Sequence, residues 1–113
     1  MTTGLLWGAL ALIVLAFLWM RGGTTSGPEA RKLVAEGARL VDVRSVGEFE
    51  GGHLEGARNL PVHELEARAA ELEPRDAPIV LYCQSGVRSA QAKRTLARLG
   101  FSQVHNLGGI GNW

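Results

Sequence analysis

The sequence contains a single cysteine, Cys83, among 113 residues. That excludes an intramolecular disulfide, a C-x-x-C redox pair and a multi-cysteine zinc site. Charge is missing from residues 1–20, because all 12 Lys and Arg and all 11 Asp and Glu lie in residues 21–113. The formal net charge of +1 leaves no basic surplus that would mark a nucleic-acid binder. Internal repeats and low-complexity tracts are absent. The length excludes a multidomain enzyme and a multi-span transporter, and leaves room for one small domain after the uncharged leader. His53, His63 and His105 are scattered without the spacing of metal ligands.

The leader, GLLWGALALIVLAFLWM over residues 4–20, is apolar on every face. As a helix it would reach roughly 25 Å at about 1.5 Å per residue, the short end of a bilayer span. Trp7 and Trp19 sit near its two ends, where amphipathic rings favour the interface. A cleaved signal peptide is the rival reading, but no basic n-region precedes the run and WMRGGTTSG offers no A-x-A-like site. A buried core helix is the third, and so small a domain could not surround it. We therefore expect an uncleaved transmembrane anchor over 1–21, a flexible GGTTSG linker over 22–27 and a folded domain over 28–113. Arg21, Arg31 and Lys32 follow the run and nothing basic precedes it, so the domain is expected on the cytoplasmic side.

The folded part alternates helix and strand. Pro28 suits a first helical turn, Ala30, Leu33 and Val34 form an apolar face, and Gly37 stops it. RLVDV (39–43) reads as a strand with apolar residues on both faces. The glycine-punctuated stretch 45–61 reads as a short helical turn followed by a short strand near Ala57–Leu60. Val62, Leu65, Ala69 and Leu72 recur at helical spacing. EPRDAP ends that helix, IVLYC (79–83) is a buried strand, QSGVR a tight loop, SAQAKRTLARLG a helix ended by Gly100, and 103–107 a last strand. The pattern predicts an α/β fold, a parallel sheet with helices on both faces and a ligand site at the carboxyl ends of the strands.

Cys83 falls at such an end. A strand delivers it and a helix follows within a few residues, so the loop between must curl, with Gly86 free to take positive φ. A curled backbone turns N–H groups inward, and the helix N-terminus adds positive potential. Both favour thiolate over thiol. Arg88 closes the loop with a fixed charge able to pair with an anionic substrate. Cys83 is thus the candidate nucleophile, and Gln84, Ser85, Gly86, Val87 and Arg88 the candidate substrate-binding residues. A buried structural cysteine is the bland alternative.

The segments D-V-R (42–44), G-H-L-E-G-A-R-N (52–59) and C-Q-S-G-V-R-S (83–89), in this order and spacing, resemble a single-domain rhodanese-like sulfurtransferase. The resemblance covers about residues 28–113. It implies a rhodanese-like parallel sheet and persulfide chemistry: the Cys83 thiolate takes a sulfane sulfur from an anionic donor such as thiosulfate and passes it to a thiophilic acceptor, a small thiol or a protein. No metal or organic cofactor is implied. The family pattern runs past its G-G-x-x-x-W stretch into a further helix, whereas this sequence ends at Trp113, so that helix is expected to be absent or replaced, with consequences for packing on one sheet face. Asp42, Arg44, Glu48, His53 and Arg58 are expected to act structurally around the site, with Asp42 pairing to Arg44 or Arg58 and His53 holding its loop. Trp113 is expected over the domain edge.

Two rivals stand beside this reading. A phosphatase or arsenate reductase of related fold would place five residues between cysteine and arginine; here only Gln84 to Val87 intervene, and the loop has no general-acid Asp. A membrane-tethered carrier or non-enzymatic rhodanese module would keep the fold without turnover, yet Cys83 and Arg88 are both intact.

Overall fold

The computed structural model describes residues 23–113, so the expected anchor lies outside the described residues. Among the described residues no helix is long and apolar enough to cross a membrane. Ser26 accepts a hydrogen bond from Glu29 N–H at 3.3 Å and caps helix α1, Gly27–Ala35, with Pro28 in its first turn. Strand β1 is Arg39–Asp42 and helix α2 is Val46–Glu50, opened by a capping box between Ser45 and Glu48. Strand β2 is the pair Arg58–Asn59. Helix α3, Leu65–Arg68, is flanked by 3₁₀ turns at Val62–Glu64 and Ala69–Leu72. Strand β3 is Ile79–Cys83, helix α4 is Val87–Arg98 and strand β4 is Val104–Gly109, before a final 3₁₀ turn at Ile110–Asn112.

All strand pairs are parallel, in the order β2-β1-β3-β4. The expected parallel α/β sheet is therefore what forms. Strand β3 is buried on both faces, and its alternation divides the core. Ile79, Leu81 and Cys83 join Val41, Leu65, Ala92, Leu96 and Phe101 under α3 and α4. Val80 and Tyr82 point the other way, joining Leu40, Leu107 and Ala30 of α1. Ile110 and Trp113 pack against this second cluster beside α1, so this face of the sheet is covered by α1 and the C-terminal turn.

Three expectations need correction. The segment 62–72 is not one helix, because its two ends tighten into 3₁₀ turns. In a 3₁₀ turn residues three apart eclipse, which keeps both Ala69 and Leu72 on the core. The linker expected over 22–27 stops short of Gly27. Thr25 N–H donates to Asn106 O at 2.7 Å, Ser26 caps α1, and Gly27 is buried so tightly that a β-carbon would lie 2.2 Å from Asn112 O. Helix α4 begins at Val87, so Val87 and Arg88 belong to its first turn rather than to the loop. Gly86, at φ 106°, occupies the N-cap, and the turn is complete one residue later.

Candidate active site

Strand β3 carries Cys83 to the carboxyl edge of the sheet, where its side chain is fully buried beneath the loop Gln84–Gly86. Gly86 N–H donates to Cys83 Sγ at 2.9 Å. Directly after that amide the left-handed φ of Gly86, a conformation an L side chain would resist, turns the chain into α4. Strand β4 presses close behind: a β-carbon on Gly109 would lie 3.0 Å from Gln84 O. The loop is thus fixed by backbone on both sides.

Ser89 completes the sulfur's surroundings. It is buried in the first turns of α4, with Oγ 3.4 Å from Sγ, 3.2 Å from Gly86 O and 3.4 Å from Gly108 O. A thiol can donate to Ser89 Oγ while the hydroxyl donates to a carbonyl; a thiolate can instead accept the hydroxyl proton. Burial pushes the Cys83 thiol up, but the Ser89 hydroxyl and the backbone N–H groups of Ser89, Gly86 and Ser85 outweigh it and hold the pKa below its ordinary value. Sequence reasoning did not assign Ser89. The signal was its spacing: three residues after Gly86 on a helix, a side chain points back over the preceding turn.

Two ion pairs surround the loop, with different partners from those a single network would give. Asp42, fully buried at the end of β1, accepts from Arg44 Nε at 3.1 Å and from Arg44 Nη2 at 2.8 Å. Arg44 also donates to Gly52 O at 2.7 Å and to Gln84 Oε1 at 3.2 Å, so it joins β1, the 51–57 loop and the catalytic loop. Its pKa is raised, chiefly by the hydrogen bonds to Asp42. Asn59 Nδ2 donates to the carbonyls of Asp42 and Arg44 and latches β2 to the same corner. Tyr82 Oη accepts from Leu54 N–H at 3.1 Å beside Asp42; burial first, then Asp42, push the phenol up to about 12.

The second pair is Arg88 with Glu48, bidentate at 2.5 and 2.9 Å. Glu48 also accepts from Ser45 N–H and Ser45 Oγ at the start of α2, while its Arg88 pair binds α2 to the first turn of α4. Hydrogen bonds from Arg88, then Ser45, hold the Glu48 carboxyl down to about 2. Glu48 is therefore the partner of Arg88 and not a member of the Asp42–Arg44 cluster. Arg58 belongs to neither, because the exposed side chain of this edge-strand residue pairs with Glu71. His53 is exposed, stacks on Phe49 at 3.7 Å between ring centroids and bonds Phe49 O through Nδ1 at 2.9 Å. Val87 is largely exposed at the rim. Among the described residues no group of three or more His, Cys, Asp or Glu side chains gathers as metal ligands do.

Comparison with known proteins places this fold in a family. The model of the rhodanese-like domain matches residues 26–113. The chain belongs to the rhodanese-like family. It is 40% identical over 101 residues to the human thiosulfate:glutathione sulfurtransferase, covering 76% of this chain and 87% of that protein. It is 48% identical over 77 residues to the uncharacterized protein YqhL of Bacillus subtilis, covering 67% of this chain but only 60% of the relative's length. The solved human single-domain sulfurtransferase TSTD1 superposes with a TM-score of 0.68 at 36% identity, over 80% of this chain and 90% of that one. With its cysteine in the reactive position, this rhodanese is a sulfurtransferase of the family's type.

Proposed function

We propose that this rhodanese moves sulfane sulfur from a small anionic donor such as thiosulfate to a thiol acceptor through a Cys83 persulfide. The observation that carries the reading is Cys83 Sγ held by Gly86 N–H at 2.9 Å beside the Ser89 hydroxyl, an arrangement that favours the anion. The thiolate attacks the outer sulfur of thiosulfate, the S–S bond breaks, and sulfite leaves with the electron pair. The terminal sulfur of the persulfide carries the negative charge, and the N–H groups of the loop stabilise it. An acceptor thiolate then attacks that sulfur, forming its own persulfide and restoring the Cys83 thiolate. Two half-reactions through one covalent intermediate imply ping-pong kinetics. The name of the human relative, thiosulfate:glutathione sulfurtransferase, pairs thiosulfate with glutathione and supports this donor and this acceptor class.

Arg88 contributes positive charge at the rim while Glu48 fixes its guanidinium. Gln84, Ser85 and Val87 form the rest of the donor's surroundings. The uncharged run 4–20 tethers the domain to a membrane, and Arg21, Arg31 and Lys32 after it place the domain on the cytoplasmic side.

The test is mass spectrometry of the reduced full-length chain after thiosulfate treatment. We expect a gain of one sulfur that cyanide removes and that Cys83→Ser abolishes. A folded protein with no such gain would overturn the mechanism.

A further inference from the structure

The point where the leader enters the domain is fixed by the fold. Thr25 N–H donates to Asn106 O at 2.7 Å, and a β-carbon on Gly108 would lie 3.4 Å from Thr24 Cγ2. Followed backwards from Thr25 to Thr24, the chain runs along β4 from Asn106 towards Gly108. That direction leads to the carboxyl edge of the sheet, where the catalytic loop lies. The two places touch: a β-carbon on Gly86 would lie 3.7 Å from Gly108 Cα, and one on Gly109 3.0 Å from Gln84 O. The buried Gly27, wedged against Asn112 O, and the Ser26 cap lock this entry in place.

The free tether is correspondingly short. The apolar run ends at Met20, and only Arg21, Gly22 and Gly23 separate it from Thr24 beside β4. The four residue steps from Met20 to Thr24 span at most about 14 Å. Headgroups occupy roughly 5–8 Å of that on each side of a bilayer.

Resting on the membrane anchor proposed above, we infer that the carboxyl edge of the sheet, with the rim of the Cys83 site, faces the bilayer surface, and that the opposite edge faces bulk solvent. The occupant of the space in front of the loop is the lipid headgroup layer. Small donors and thiols pass through that gap. A bulky folded acceptor from bulk solvent does not fit between loop and membrane. The inference also makes the lipid charge part of the catalytic environment, because a dianionic donor is depleted near an anionic surface within about one Debye length.

The experiment uses the full chain in lipid vesicles. In a Cys83→Ser background, a nitroxide is placed at Val87→Cys, at the site rim, or at Asp76→Cys, in the exposed loop before β3. The two ends of β3, four residue steps apart, are separated by about 13 Å of strand. A headgroup-anchored paramagnetic chelate should relax the label at position 87 several-fold more than the label at 76. Equal relaxation, or stronger relaxation at 76, overturns the inference. The unaltered chain supplies a second reading. Its KM for thiosulfate should rise about twofold to fivefold from neutral to anionic vesicles and return at high salt. A KM indifferent to lipid charge also overturns the inference. Vesicle flotation separates the two premises. A chain that does not float refutes the anchor and the inference with it, whereas a chain that floats but shows either contrary result refutes only the orientation.

Discussion

The two edges of this sheet are each organised by an arginine on β1 or just beyond it, yet the two arginines do different things. At the carboxyl edge, Arg44 is buried against the buried carboxylate of Asp42 and extends to Gly52 O and Gln84. At the opposite edge, Arg39 donates to the carbonyls of Leu72, Pro74 and Ala77 and is hydrogen-bonded to no carboxylate. Burial lowers its pKa, partly offset by the field of Glu73. The Arg39 hub gathers a turn through its carbonyls, one of which, Pro74 O, also accepts from Ala77 N–H. The Arg44 hub neutralises a charge and, through it, holds the loop that positions the nucleophile. Carbonyls can fall back on water, whereas a buried carboxylate has no such recourse.

Breaking the hubs should reveal this asymmetry. Arg44→Met leaves Asp42 buried and unpaired, and should lower unfolding stability by about 3–5 kcal/mol in chemical denaturation. It should also slow sulfur uptake under conditions where the variant is folded. Arg39→Met should cost about 2 kcal/mol or less in the same measurement, because solvent can replace part of what is lost. Its rate of persulfide formation from thiosulfate should match the parent. If both variants lost equal stability, the distinction between the hubs would be wrong.

The remaining predictions probe the active edge alone. Arg88→Ala should reduce kcat/KM for thiosulfate about tenfold, in line with the loss of one charge-assisted contact at a partly exposed site. Alkylation of Cys83 by a neutral reagent should change much less. Ser89→Ala should raise the Cys83 pKa, which the hydroxyl helps to depress. Its alkylation rate at neutral pH should fall a few-fold and recover as the pH rises. The smallest effect concerns Glu48, whose carboxyl is held down from 4.5 to about 2. A depressed carboxyl contributes stability that is full above its unfolded value and lost as the pH falls through its folded one. The Arg88 pairing should therefore survive at pH 4 and fail near pH 2. Carboxyl NMR should show Glu48 titrating near 2, and near its ordinary value in Arg88→Ala.

Much of the active edge was legible along the chain. The strand 79–83 shows in its continuous apolar run, Cys83 at its end, and Gly86 where a tight turn requires positive φ. These are local features, set by the periodicity of burial and the steric limits of the backbone, so a linear reading reaches them. The helical turn at 45–50 is likewise local, because Ser45 and Glu48 cap each other three residues apart. Where long-range contacts decide, the linear reading falls short. Nothing in the spacing distinguishes Arg44 from Arg58 as the partner of Asp42, or assigns Glu48 to Arg88 across forty positions of sequence.

The sequence by itself determined the alternation of elements, the parallel sheet, the nucleophile and the uncharged leader. Each of these follows from apolar periodicity, from glycine's conformational freedom, or from the absence of charge. Only the tertiary structure decided the ion-pair partners, the contact of Ser89 with the sulfur, and the docking of Thr24 and Thr25 along β4 beside the catalytic loop. The physical reason is range. Backbone sterics and burial patterns act within a few residues, whereas a charge or a hydroxyl takes whichever partner the folded sheet brings within about 3 Å of it.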